Sequence, residues 1–193
     1  MVNTVANVAA GKPLASGGIY LAPIGSTAPT TVTAALDAAY KSAGYIGEDG
    51  VTEGGERSTT KIKAWGGDVV KVVQDEHSLT YTFRFIEAMN GDVLEAVYGA
   101  DNVTTTDATA SSGTIHEVQV TGESLPHFQI VFEIKDGDNR IRISAKDVQI
   151  TEVGEITYSD GDVIGYEVTI ECFADGNGVK ATKWLDNGVF DGE

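Results

Sequence analysis

Three histidines, one cysteine and a surplus of carboxylates are the residues that could do chemistry in this chain. His77, His116 and His127 are dispersed, and each falls at a strand edge or on a polar position. A nucleophile needs its base within hydrogen-bond reach, and no spacing here suggests such a pair. Cys172 stands alone among Ile170, Glu171 and Phe173. A single cysteine builds neither an intrachain disulfide nor a thiolate zinc cluster, and in a strand it reads as a small core hydrophobe. Gly176-Asn177-Gly178-Val179-Lys180-Ala181 has the letters of a dinucleotide fingerprint. The acidic ribose ligand expected about 20 residues on falls past Glu193, so the stretch reads as a turn. Gly11-Lys12 is followed by Pro13 and is no phosphate loop, and Gly122-Glu123-Ser124-Leu125-Pro126 lacks the second glycine of a nucleophile elbow. Asp136-Gly137-Asp138-Asn139 and Ser159-Asp160-Gly161-Asp162 resemble fragments of calcium loops. Counted from Asp136 or Asp160, the twelfth position is Asp147 or Glu171, each on a strand, so both are expected to be hairpin turns. The expectation is no catalysis, no cofactor and no obligatory metal.

The carboxylates act together. Asp and Glu number 29 against 13 Lys and Arg, a formal charge of -16. Binding to nucleic acid depends on Lys and Arg neutralising phosphates, so this balance argues against it, and against adhesion to anionic membranes. It permits a cation-binding or strongly solvated protein, or one that repels polyanions. Hydrophobic residues at 41% are enough for a proper core. Met1 to Ala10 lacks the basic start and apolar centre of a secretory signal, and no run approaches the 18 or so apolar residues of a membrane span. A soluble protein made in a cytoplasm is expected.

The elements that must hold these groups are mostly strands. Residues 1–18 read as an almost uncharged N-terminal arm that needs a partner to become ordered. Residues 19–173 read as one β domain and 174–193 as a C-terminal tail. Thr33 could cap a helix from Ala34 to Lys41. The polar, glycine-rich run Gly47-Glu48-Asp49-Gly50-Val51-Thr52-Glu53-Gly54-Gly55-Glu56-Arg57-Ser58-Thr59-Thr60 reads as a long exposed loop. Leu79, Tyr81, Phe83 and Phe85 alternate with Thr80, Thr82 and Arg84, a strand with one buried face. Asn90 and Gly99 bracket a second helix over Asp92 to Tyr98. Strands follow at Ile115–Val120, from Phe128 to the Asp136 turn, from Arg140 to Glu152, and from Ile164 to Cys172. The sum is seven to nine strands with one or two short helices, mainly β: an antiparallel β-sandwich or partial barrel.

The order Ala-Gly-Tyr-Ile-Gly-Glu-Asp-Gly-Val-Thr-Glu (43–53), Ile-Lys-Ala-Trp-Gly-Gly-Asp-Val-Val (62–70), Thr-Tyr-Thr-Phe-Arg-Phe-Ile-Glu (80–87) and Val-Leu-Glu-Ala-Val-Tyr-Gly (93–99) resembles the major tail protein, or tail tube protein, of long flexible-tailed bacteriophages, with the flavour of phages of actinobacteria. The resemblance covers about residues 18–173 and lies in the order of the pieces. It implies a tail-tube-like β-sandwich, shared with the tube of the type VI secretion machine. It also implies hexameric rings stacked into a hollow tube in the virion tail, a conduit for double-stranded DNA that is not specifically bound. Implied partners are further copies of the chain and the tail terminator, tape measure and distal tail proteins, with assembly in the host bacterial cytoplasm.

On that reading the lumen is lined by polar positions of the alternating strands. Glu133, Glu152, Glu167 and Glu171, with Glu87 and Glu117, are the acidic positions expected there. Arg84, Arg140 and Arg142 are expected outside the bore or bridged to carboxylates. The loop at residues 47–60 is expected to contact the next ring. A monomeric β-sandwich binding module for cations or sugars is the alternative from another class. It would need a complete calcium site or an aromatic platform, for which only Trp65 and Trp184 are available, and Trp65 beside Gly66-Gly67 is expected to anchor its loop to the sandwich. A capsid decoration or tail-completion protein is a third reading.

Overall fold

The computed structural model describes residues 4–14 and 18–190. Its strands are β1 (Ile19–Pro23), β2 (Lys41–Ser42), β3 (Ile46–Gly54), β4 (Arg57–Lys63), β5 (Val69–His77) and β6 (Thr80–Phe85), then β7 (Val103–Thr106), β8 (Ile115–Val118), β9 (Phe128–Asp136), β10 (Asn139–Val153), β11 (Tyr166–Cys172) and β12 (Thr182–Asp186). One α-helix, α1 (Gly91–Tyr98), lies between β6 and β7. The main sheet is antiparallel, in the order β2-β1-β9-β10-β11-β6-β3, with β12 also on β10. The fold is mainly β and sandwich-like, and no barrel closes.

One sheet makes its own core by curling. Strands β9 and β6 are three places apart, about 14 Å in a flat sheet. Yet the Phe132 ring on β9 lies 4.8 Å from Tyr81 and 5.8 Å from Phe83 on β6. Folding the sheet over brings the apolar positions of both halves together: Tyr81, Phe83 and Phe85 from β6, Ile130 and Phe132 from β9, Val148 and Ile150 from β10, and Val168 and Ile170 from β11. Helix α1 adds Val93, Leu94 and Val97 to this core. Asn90 Oδ1 accepts from the Asp92 N–H at 3.0 Å, and Gly99 ends the helix at φ +90°, the bracketing that the sequence suggests.

Strand β10 is the spine. Its first half pairs with β9 on one edge and β12 on the other, and its second half pairs with β11. Strands β11 and β12 therefore lie in line along one edge of β10. The chain after Asp175, read from sequence as a tail, adds a strand to the sheet.

Three other local expectations are corrected. Residues 34–41 form no helix. Thr31 Oγ1 accepts from the Ala34 N–H and Asp37 Oδ1 from the Ala39 N–H, local bonds that compete with helical ones. The segment lies across β9 instead, where Leu36, Ala39 and Tyr40 pack on Val131 and the Tyr40 hydroxyl donates to Gln129 Oε1 at 2.7 Å. Residues 47–60 are not a loop. They are most of β3 and the start of β4, and their glycines mark irregular backbone. The pairing of β3 with β6 slips between Ile46 and Val51, where Gly50 has φ +69°. The described arm residues 10–14 lie against the chain's own β9. The Leu14 N–H donates to the Glu133 carbonyl, the Lys135 N–H to the Lys12 carbonyl and the Ala10 N–H to Asp136 Oδ2. Residues 10–14 thus extend the place of β1 along β9.

Candidate assembly and conduit surfaces

Alternation in β6 and β11 buries one set of side chains and turns the other to the opposite face. On that second face the ladder sets Glu167 opposite Arg84, Thr169 opposite Thr82, Glu171 opposite Thr80, Glu171 opposite Gln149 and Glu152 opposite Thr169. Three of the six expected glutamates, Glu152, Glu167 and Glu171, therefore share one polar face. Threonines fill the spaces between them, and the Thr82 and Thr169 hydroxyls are 3.0 Å apart. Arg84 is the one cation in this ladder, and it is tied back: Nη2 donates to the Val163 carbonyl at 2.7 Å and meets Asp162 Oδ2 at 3.3 Å. The face is polar and net acidic.

The other three glutamates lie elsewhere. Glu133 is 7% exposed and Arg142 6%. Their side chains meet at 2.6 Å, and Arg142 Nη1 also donates to the carbonyls of Thr31 and Ala34. Burial lifts the Glu133 carboxyl above its ordinary value, and the Arg142 guanidinium opposes that rise. Glu133 fails the alternation argument because β9 is covered on both faces, so its polar positions are interior ones. Glu87 is half-buried beyond the end of β6, where it accepts from the Tyr45 N–H and from Asn90 Nδ2. Glu117 is exposed on β8, which pairs only with β7. Of the arginines, Arg84 and Arg142 do bridge to carboxylates, while Arg140 is exposed.

Glu133→Gln keeps the shape but removes the charge that Arg142 needs. Stability in urea titration is expected to fall by about 2 kcal/mol. An unchanged midpoint would show that the ion pair contributes nothing.

Sequence reasoning missed the second surface. Strands β4 and β5 pair only with each other and form a separate two-stranded hairpin. Trp65 at its turn is fully exposed and anchors nothing, and Ile62, Val69, Val70 and Val72 are open as well. The signal was present: Gly66-Gly67 between two runs that mix Lys with β-branched residues is a hairpin pattern. At the hairpin neck the Glu56 and Ser78 backbones close on each other, and Gly55, at φ +139°, sits where a Cβ would lie 2.4 Å from the Ser78 carbonyl oxygen.

The groups singled out for chemistry stay apart. His127 pairs with Asp147 and stacks on Phe173, His116 bonds the Thr105 hydroxyl, and His77 ends β5. Cys172 is buried, and burial pushes its thiol up to about 12, so it stays protonated. Asp136 opens a two-residue hairpin turn, and its bond from the Ala10 N–H holds its carboxyl below the ordinary value. Among the described residues no group of three His, Cys, Asp or Glu is placed to hold a metal ion, and no helix is long and apolar enough to cross a membrane.

The chain is thus a sandwich-like β structure with one acidic, threonine-rich face and one protruding hairpin whose two strands pair with each other. The phage tail tube protein family model matches residues 6–191, and the chain belongs to that family. It is accordingly a structural protein of the phage tail. Among solved structures, the anti-feeding prophage cap (AFP tube terminating cap) is similar over 96% of this chain and 100% of its own, at 10% identity and a TM-score of 0.42. No curated protein matches the chain.

Proposed function

We propose that six copies of this chain close into a ring, that rings stack into the tail tube, and that double-stranded DNA passes through the lumen during ejection. The observation that carries this reading is the face bearing Glu152, Glu167 and Glu171 with its single, tied-back arginine. DNA carries one charge per about 1.7 Å of axis, so inward lysines or arginines would hold it by counterion release. A wall of carboxylates and hydroxyls keeps it hydrated and off the protein. Screening over about 8 Å at physiological salt limits this field to DNA near the wall. Ring closure is supported by the outer edge of β3 past Val51, which pairs with no described strand, since an unpaired edge is a template for a neighbouring chain.

The contact between rings is assigned to the segment that contains residues 47–60, and within it to the hairpin that begins at Arg57. Tail terminator, tape measure and distal tail proteins are the further partners, and the host bacterial cytoplasm is the site of assembly. The test is direct. Purified chain is followed by light scattering and imaged by negative-stain electron microscopy as its concentration rises. Rings or hollow tubes are expected. A monodisperse monomer at every concentration would favour the separate binding module instead.

A further inference from the structure

The chain is strongly acidic, but its hairpin is not. From Arg57 to His77, Arg57, Lys61, Lys63 and Lys71 stand against Asp68, Asp75 and Glu76, one charge positive in a chain of -16, and the tip from Lys61 to Lys71 holds three lysines against Asp68 alone. It also exposes Ile62, Trp65, Val69, Val70 and Val72 with no core beneath them. A basic, apolar projection on an acidic protein fits the rest of that protein.

The matching surface lies at the opposite end of the same strands. The hairpin leaves β3 and β6 where Gly54 pairs with Thr80. At the other end, about 17 Å along β6, Ile46 pairs with Phe85. Tyr45, Met89 and Val163 are exposed there. Beside them a groove of about 560 Å³ runs between the N-terminal arm and β3, lined by Pro13, Ile46, Val51 and Ile134 with Glu48 and Glu87. That volume is ample for an aromatic anchor and its neighbours. Among the described residues the groove is lined by glutamates and by no lysine or arginine.

We infer that this groove is the seat of the hairpin tip of a second copy of the chain, with Trp65 entering the apolar part and Lys61 and Lys63 meeting Glu48 and Glu87. This inference rests on the stacked-ring reading and adds the receiving surface. Because donor and receiver sit at opposite ends of one subunit, the contact is head-to-tail. Such a contact does not saturate in a pair but leaves one free donor and one free receiver to propagate.

The test places the photo-crosslinking amino acid benzoylphenylalanine at position 65, an exposed site where the fold is undisturbed. A mixture of 15N-labelled and unlabelled chains is irradiated under assembly conditions and digested. Mass spectrometry is expected to find mixed-label crosslinks from position 65 to peptides holding residues 44–51 or 86–89. Lys63→Glu in the same background is expected to cut their yield about tenfold or more, and Glu48→Lys added to it to restore much of the loss. Crosslinks that map to another surface of intact tubes would overturn the groove and leave the tube reading standing. Crosslinks within one chain, or a yield indifferent to Lys63→Glu, would overturn it too. Absence of both tubes and crosslinks between chains would remove both readings.

Discussion

Replacing residues 57–77 by a two-residue turn is expected to leave a folded subunit that forms no tubes. The hairpin makes no strand pairing with the main sheet and adds no residue to the core cluster, so its loss removes little that holds the subunit together. An isolated two-stranded hairpin is marginally stable in water, and ordering its backbone costs about 1–2 kcal/mol per residue. In the proposed contact between rings, a neighbouring subunit covering Trp65 and the flanking valines would offset that cost. The measurement pairs circular dichroism and thermal melting of the trimmed chain with electron microscopy at the concentration where the parent forms tubes. A melting curve close to the parent's with no tubes is the expected result. Normal tubes from the trimmed chain would remove the hairpin from assembly.

Phe132→Ala is expected to have the largest effect on the subunit itself. Phe132 is 1% exposed and touches Tyr81 and Phe83 across the fold of the sheet. Its ring joins the two halves that face each other, against Tyr81 and Phe83, which are themselves held on β6. Truncating a buried phenylalanine costs about 3–5 kcal/mol. A domain of this size has about 5–15 kcal/mol in all, and the melting midpoint should fall by roughly 6–20 °C. Phe132→Leu, which leaves a smaller void, should fall between the two. A shift of a degree or less for Phe132→Ala would mean that the sheet does not close over this ring.

The parts of the fold that the sequence made legible are those with a strict local period and local punctuation. Tyr81, Phe83 and Phe85 alternate with polar residues and are buried, as period two requires. Asn90 and Gly99 mark the ends of α1, because caps are satisfied within a few residues. What was not legible depended on long-range cover. Gln129, Glu133 and Arg142 occupy polar positions of alternating strands and yet are buried. Residues 31–40 lie over them, and only the tertiary fold brings that segment there. The same segment forms no helix, because the Thr31 and Asp37 side chains bond locally, and its Ala34 carbonyl accepts from Arg142 instead. The glycines of residues 47–60 looked like loop composition, whereas a slipped pairing and a tight neck use glycine for the same conformational freedom. Of the acidic surface, Glu152, Glu167 and Glu171 were legible because β11 is exposed on one side, as is the second half of β10.

The central claim is that the Thr- and Glu-bearing face of β6, β10 and β11 lines a lumen that DNA slides through. A cryo-electron microscopy map of the assembled tube, at a resolution where side chains can be placed, tests it most directly. The account predicts six subunits per ring with Glu152, Glu167 and Glu171 pointing into the bore, Arg84 still held at Asp162, and an inward-facing charge that is net negative. A tube with this face on its outer surface, or with a lumen whose inward-pointing side chains are net basic, would contradict it.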